Sequence, residues 1–138
     1  VLSAGGLPMS QSDLLFIYGT LLPGLKLEQE MAGAECLGQA EVRGHLYDIG
    51  CYPGLVDGEG WVSGEIHRVS PAHLHRLDAM EEVVADDRSA SLYWRERIKV
   101  ETGAHAGESV WVYRYNKAVE GLKLIPGGDY RRYLLGSQ

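Results

Sequence analysis

A carboxylate near the end of a predicted helix is the first residue that could do chemistry. Ser70 as N-cap and Pro71 as first helical residue predict a helix that runs to Glu81. At about 100° per residue, with Leu74 at 0°, Glu81 falls near 340°, inside the apolar stripe, and Glu82 near 80°, facing away. Burial on that stripe would raise the pKa of Glu81 into the range of a general base near neutral pH.

Spacing selects Glu81 over Glu82 but leaves a structural role open. A basic residue on a neighbouring strand could pair with the Glu81 carboxylate; the candidates are Arg95, Arg97 and Lys99.

The loop within FIYGTLLPG, residues 16–24, is the second candidate. An apolar run stops at Tyr18, and the turn that follows carries fewer polar residues than an ordinary turn. A loop with a glycine at a strand end exposes consecutive backbone N–H groups, here those of Gly19, Thr20 and Leu21, to a carboxylate or an oxyanion. From the residues alone, an ordinary strand-ending turn is the alternative.

The histidines and cysteines lack the spacing of metal sites. His73 and His75 point apart on the predicted helix, and the other histidines have no ligand-like spacing with any Cys or Asp; these are His45, His67 and His105. Cys36 and Cys51 are expected to be small buried residues, with no disulfide framework and no metal. No bound metal is therefore expected.

Other catalytic motifs are missing from the sequence. Ser63 and Ser70 lack the GxSxG context of a serine hydrolase. Residues 54–60 are rich in glycine but match neither of the nucleotide-binding patterns GxxxxGK[ST] and GxGxxG. They are expected to form a hairpin loop. The Tyr-Pro-Gly stretch at 52–54 predicts a turn, which could present an aromatic ring to a pocket but more readily staples the loop.

Strand signals outnumber helix signals along the chain. Strands are predicted at 13–18, 39–48, 60–69, 92–101 and 108–115, and helices at 25–32, at 71–81 and after Asp129. Because no regular βαβ alternation occurs and glycines interrupt the strands, the predicted fold class is α+β: a small mixed barrel-like β-sheet flanked by helices.

Length and charge favour a single domain with a small-molecule partner. The chain has 138 residues, and residues 13–135 are expected to form the domain after an N-terminal tail at 1–12. The polar stretch from Met9 is typical of a natural start, which would make residues 1–8 an addition from cloning. A net charge of −6 argues against a nucleic-acid partner, no run of residues suggests a membrane span, and the expected location is cytoplasmic.

Taken in order, the motifs resemble the γ-glutamylcyclotransferase-like superfamily, also called AIG2-like or butirosin-pathway cyclotransferase-like. The stretch YGTL at 18–21 resembles its YG[ST]L signature, LDAME at 77–81 its LDxxE helix end, and YWR at 93–95 its YxR strand. The aromatic strand at 111–113 and Gly-Asp-Tyr at 128–130 complete a match over residues 14–133. Many relatives carry glycine after the glutamate, where this chain has Glu82.

The resemblance implies an enzyme that releases 5-oxoproline and a free amine from a γ-glutamyl amine or γ-glutamyl amino compound, without a cofactor. It implies Glu81 as general acid and base and a substrate-binding loop formed by Tyr18, Gly19, Thr20 and Leu21. The alternative is a small-ligand-binding or interaction domain that keeps the pocket without chemistry, which the unusual Glu82 leaves open.

Overall fold

The computed structural model describes residues 13–25, 27–50 and 52–136. Seven strands form one sheet: β1 (Asp13–Ile17), β2 (Glu35–Asp48), β3 (Pro53–Val69), β4 (Tyr93–Lys99), β5 (Thr102–Gly103), β6 (Ser109–Tyr115) and β7 (Lys123–Ile125). The helices are α1 (Pro71–Met80) and α2 (Tyr130–Gly136), with short 3₁₀-helices at Glu28–Met31, Arg88–Ala90 and Pro126–Gly128. Within this part of the chain no helix is both long and apolar enough to cross a bilayer.

The sheet is mixed and curls into a half-barrel, which confirms the predicted fold class. Its strand order is β4-β6-β1-β3-β2-β5, and β7 pairs with the far end of β2. Strand β6 runs parallel to β1 at Trp111 and also to the beginning of β3 at Arg114, while the other pairs are antiparallel. Because β6 contacts both neighbours, the long β3 must bend, and this bend closes the sheet around its core.

Alternation along β1 divides the core between the two faces of the sheet. Phe16 packs in a first cluster with Val42, Leu55 and other residues from most of the strands. Leu15 and Ile17 point to the opposite face, where a second cluster includes Leu74 and Leu77 of α1, along with Leu21 and Leu22. The second cluster therefore anchors both the helix that precedes Glu81 and the loop that follows β1.

Helix α1 begins as predicted and ends one residue early. The Ser70 hydroxyl oxygen accepts a hydrogen bond from the His73 N–H at 3.0 Å, as expected of an N-cap. The last helical residue is Met80; Glu81 is the C-cap, and Glu82 has a positive φ of 60°. Since the chain leaves the helix here, the helical wheel does not apply to Glu82. That left-handed conformation also favours glycine.

Two predicted elements were wrong. In place of a helix at 25–32 there is a 3₁₀-helix at Glu28–Met31. The segment lies between Gly24 and Gly33, both at positive φ, and the backbone hydrogen bonds within it join residues three apart. Lys26 is not among the described residues. The predicted hairpin loop at 54–60 belongs to β3, and only residues 57–60 lie opposite a register shift in β2.

Candidate active site

A cleft of about 650 Å³ opens where β1 ends. It is bounded by the loop after β1, the turn before β3, the end of α1, and strands β4 and β6. Its lining is largely apolar and aromatic: Phe16, Ile17, Tyr18, Gly19, Thr20, Leu21, Leu27, Tyr52, Pro53, Met80, Glu81, Glu82, Leu92, Tyr93 and Tyr113. All five residues singled out in the sequence, Glu81 and the segment 18–21, thus line one cleft.

Glu81 is the carboxylate that the fold carries into this cleft. Its backbone N–H donates to the Leu77 carbonyl oxygen at 2.8 Å, which fixes the residue to the end of α1. Burial, and secondly the negative charge of Glu82, raise the pKa of Glu81 to about 7. A carboxyl with this pKa exchanges a proton readily near neutral pH.

Two of the three basic residues proposed as alternative partners of Glu81 contact other groups. Among the ion pairs between described residues, none includes Glu81. Arg95 instead forms a two-pronged pair with Asp78, from Nε to Oδ1 at 2.7 Å and from Nη2 to Oδ2 at 3.0 Å. Arg97 stacks on the Trp111 ring. No ion pair with a described residue therefore lowers the raised pKa of Glu81.

Glu82 also lines the cleft, although the wheel predicted that it would face away. The residue is exposed and its left-handed backbone turns it to the cleft rim. Two carboxylates and no lysine or arginine occur among the described lining residues, so the cleft favours a substrate that carries a positive charge.

Three tyrosines line the cleft with Glu81 and hold their hydroxyl groups in hydrogen bonds. The Tyr18 hydroxyl donates to the Tyr113 carbonyl oxygen at 2.5 Å, the Tyr93 hydroxyl to that of Pro53 at 2.7 Å, and the Tyr113 hydroxyl to Asp78 Oδ1 at 2.7 Å. Burial is the main cause that raises the pKa of all three phenols above the ordinary value. They therefore stay neutral and shape an apolar wall.

The loop after β1 presents backbone donors to the cleft. The Leu22 N–H donates to the Gly19 carbonyl oxygen at 3.0 Å, and the Leu27 N–H to that of Thr20 at 2.8 Å, which closes the turn. No described residue accepts a hydrogen bond from the N–H groups of Gly19, Thr20 or Leu21. Such a turn can bind a carboxylate or an oxyanion.

Gly19 is required by close packing against the turn before β3. A Cβ atom at this position would lie 2.7 Å from Cγ of the Pro53 ring. The turn lies earlier than predicted: the Ile49 N–H donates to the Tyr52 carbonyl oxygen, and Pro53 and Gly54 already belong to β3. Tyr52 both staples this turn, with its ring 6.0 Å from that of Tyr93, and lines the cleft.

Sequence reasoning missed the pair that joins α1 to the sheet. Asp78, three residues before Glu81, accepts hydrogen bonds from Arg95 on β4 and from Tyr113 on β6. Asp78 belongs to the LDxxE motif and Arg95 to the YxR motif, so the presence of both motifs in one chain was the available signal for this ion pair. The pair positions the end of α1 over the cleft.

The candidate metal ligands lie away from the cleft. His73 is buried and donates from Nε2 to the Glu30 carbonyl oxygen at 2.7 Å, whereas His75 is exposed, so these two do point apart. Cys36 is exposed, so the prediction that it is buried was wrong. It is the second residue of β2, and the first two residues of this strand are exposed. Cys51 is outside the described residues. Strand pairing nevertheless places Cys36 beside Glu65 and His67, which sequence spacing did not reveal.

The family follows from comparison with known proteins. The family model described as "Gamma-glutamyl cyclotransferase, AIG2-like" matches residues 15–132, a span that includes the whole cleft. The chain belongs to this family. The resemblance seen in the sequence is thereby confirmed.

Named relatives of this family cover most of the chain. Gamma-glutamylcyclotransferase family protein YtfP of Escherichia coli K12 is 36% identical over 117 residues, covering 84% of this chain and 94% of that protein. Gamma-L-glutamyl-butirosin B gamma-glutamyl cyclotransferase of Niallia circulans is 36% identical over 107 residues, covering 75% and 67% respectively.

Solved structures of the family share the fold. The solution structure of ytfP from Escherichia coli matches with a TM-score of 0.63 at 36% identity, over 85% of this chain and 95% of that one. The crystal structure of an AIG2-like protein from Mus musculus matches with a TM-score of 0.64 at 27% identity, over 80% of each chain. Membership in this family supports a cyclotransferase activity in general terms.

Proposed function

We propose that this protein releases 5-oxoproline and a free amine from a γ-glutamyl amine or γ-glutamyl amino compound, with Glu81 as general acid and base. One observation carries the proposal: a carboxyl with a pKa of about 7 lies in an apolar cleft that is also bounded by the turn at 19–21. The names of the YtfP and butirosin relatives support the same reaction class.

Glu81 supplies the proton transfer. The α-ammonium group of a γ-glutamyl substrate is not a nucleophile until it loses a proton, and the Glu81 carboxylate accepts that proton. The free amine then attacks the γ-carbonyl carbon of the same glutamyl group, forming the C–N bond of a five-membered lactam. As the tetrahedral intermediate collapses, the bond to the attached amine breaks and Glu81 gives its proton to the departing nitrogen. The ring nitrogen then loses its second proton to the Glu81 carboxylate, which leaves the neutral lactam, and Glu81 passes that proton to solvent or to the released amine.

The loop stabilises the negative charges. Backbone N–H groups of Gly19, Thr20 and Leu21 bind the α-carboxylate of the substrate or the oxyanion on the γ-carbon. Donors held in place by the turn need no reorganisation as charge develops, and each can contribute several kcal/mol to the transition state. Leu21 and Leu22 are buried beneath the loop and keep its conformation fixed.

The aromatic wall orients the substrate. The γ-glutamyl chain must bend so that its α-nitrogen meets its own γ-carbon, and a rigid cleft lowers the entropic cost of this conformation. Tyr18, Tyr93 and Tyr113 have their hydroxyl groups hydrogen-bonded to the protein, so they offer rings rather than competing acids. The two carboxylates of the cleft attract the α-ammonium group.

The test is release of 5-oxoproline from a panel of γ-glutamyl dipeptides and γ-glutamylamines, run with the wild type and with Glu81→Gln. Release by the wild type that vanishes in the variant supports both the reaction and its base. A folded wild-type protein that binds panel members without turning them over would instead identify a ligand-binding domain with the same pocket, the alternative that Glu82 leaves open. Equal release by both proteins would remove Glu81 from the mechanism.

A further inference from the structure

Strands β2 and β3 bring three side chains of metal-ligating type together outside the catalytic cleft. Cys36 lies opposite His67 in the antiparallel register, and Glu65, two residues before His67, shares its face of the sheet. One ligand atom from each residue lies within 4.8 Å of the other two. None of the three lines the cleft that contains Glu81.

We propose that Cys36, Glu65 and His67 form a binding site for a zinc-like divalent cation. A thiolate, an imidazole and a carboxylate are the donors that zinc accepts, and three protein ligands with a water in the fourth position make a tetrahedral site. The structure itself, rather than the sequence spacing, suggests this site, because 29 residues separate Cys36 from Glu65.

The distances between the donor atoms fit such an ion. Bond lengths of about 2.0–2.1 Å to nitrogen or oxygen and about 2.3 Å to sulfur place tetrahedral ligands roughly 3.3–3.7 Å apart. Glu65 Oε1 lies 2.9 Å from His67 Nε2 and 3.6 Å from Cys36 Sγ. Lengthening the 2.9 Å contact by about 0.4 Å would bring it into this range, and all three donor atoms already lie within 4.8 Å of one another.

Burial and neighbouring charge prepare Glu65 and His67 for this role. Glu65 and His67 are 9% and 4% exposed, and Nδ1 of His67 is buried without a hydrogen-bond partner among the residues that the structure describes. Nε2 of His67 faces Glu65 Oε1 and is therefore the imidazole nitrogen placed to bind the ion, with the ring proton on Nδ1. Arg131 Nη1 lies 3.9 Å from Glu65 Oε2, the oxygen that does not face the other two ligands, and so helps to orient the carboxylate.

Solvent reaches the site. Cys36 is exposed. Glu65 and Arg131 also line a polar cleft of about 690 Å³ on this part of the surface, together with Glu41 and Asp129. The ion thus has a route of entry and room for its water ligand.

The experiment is titration of the full reduced protein with Co²⁺, which reports zinc-type sites by absorbance. Binding through Cys36 should produce a sulfur-to-cobalt charge-transfer band in the near ultraviolet, and added Zn²⁺ should remove it by displacing cobalt. Cys36→Ser should lose the band, and Glu65→Gln should weaken binding about tenfold or more. Cys51→Ser, the matched control for the other thiol, and Glu81→Gln should retain it.

Each of three results would overturn the site: no charge-transfer band in the wild type, a band that survives in Cys36→Ser, or a band lost in Cys51→Ser. Because Cys36 is exposed, its serine variant should fold, and circular dichroism checks this independently of binding. The measurement does not use the cyclotransferase reaction, so its outcome is separate from that of the proposed function.

Discussion

Replacement of Glu82 by glutamine should shift the acid limb of the pH–rate profile to lower pH. The proposed base must be ionised to accept a proton, so activity rises as pH passes through the pKa of Glu81, about 7 in this fold. The Glu82 carboxylate is one of the two causes that raise this pKa, and glutamine removes its charge while leaving the backbone preference nearly unchanged.

The structure bounds the size of the effect. Burial and Glu82 together raise the Glu81 pKa from 4.5 to about 7, and burial is the larger cause. Loss of the Glu82 charge should therefore lower the pKa by less than half of that rise, or less than about 1.2. At pH 6 the ionised fraction of Glu81 would increase from about 0.09 to at most about 0.6, so the rate would rise up to about sevenfold. At pH 8 the base is already ionised and the rate should hardly change.

The assay is kcat/KM for 5-oxoproline release between pH 5 and pH 9 on one γ-glutamyl substrate. Glu82→Asp is the control, because it keeps the charge and should keep the acid limb. High salt should shift the wild-type limb in the same direction as Glu82→Gln, since Glu82 is exposed and its field is screened. A wild-type limb near pH 4.5, or the same shift from the aspartate and glutamine variants, would refute the reasoning.

Three further predictions concern stability and the substrate loop. Because burial and Glu82 raise the pKa of Glu81 in the folded state, ionisation of this carboxyl makes the wild type less stable as pH rises from 4.5 through 7. Glu81→Gln should therefore be about 1–3 kcal/mol more stable than the wild type at pH 8 and equal to it at pH 4. Equal free energies of unfolding in urea at both pH values would contradict this. Gly19→Ala should lower kcat/KM about 100-fold, because the new methyl group would lie 2.7 Å from Cγ of the Pro53 ring, and an unchanged value would show that the loop position does not matter. Asp78→Asn should lower the free energy of unfolding by about 2 kcal/mol, because it leaves the half-buried Arg95 without its charged partner. An unchanged midpoint of urea unfolding would show that the Asp78–Arg95 pair does not stabilise the fold.

A second glycine provides the control for Gly19. A Cβ atom at Gly136, the last residue of α2, would have no atom of a described residue within 4 Å. Gly136→Ala should therefore leave kcat/KM unchanged, and a loss as large as that in Gly19→Ala would point to a general effect of alanine rather than to contact with Pro53.

The sequence predicted those parts of the fold whose signals are local. The N-cap and proline at 70–71 predicted where α1 begins, and side-chain alternation predicted β4 and β6 closely. The wheel phase of Glu81 was sufficient to place it on the cleft side of α1, because the apolar stripe continues to the end of the helix. These features depend on neighbours a few residues apart, which a sequence displays directly.

Long-range pairing accounts for most of what the sequence did not predict. Residues 54–60 carry glycines that are typical of a loop, yet pairing with β2 and β6 draws the beginning of this segment into β3. Asp78 and Arg95 are 17 residues apart, and only the packing of α1 on the sheet joins them. Glu82 was misplaced because the positive φ that ends the helix cannot be read from a helical wheel.

The most direct test of the central claim compares Glu81→Gln with Glu82→Gln in 5-oxoproline release at pH 8, on the γ-glutamyl substrate that the wild type prefers. Both variants remove one carboxylate from the same cleft, so they differ only in which charge is lost. If Glu81 is the base, the first variant should lose at least about 100-fold in kcat while the second stays close to the wild type. Near wild-type turnover by Glu81→Gln, or equal loss in both variants, would contradict the account.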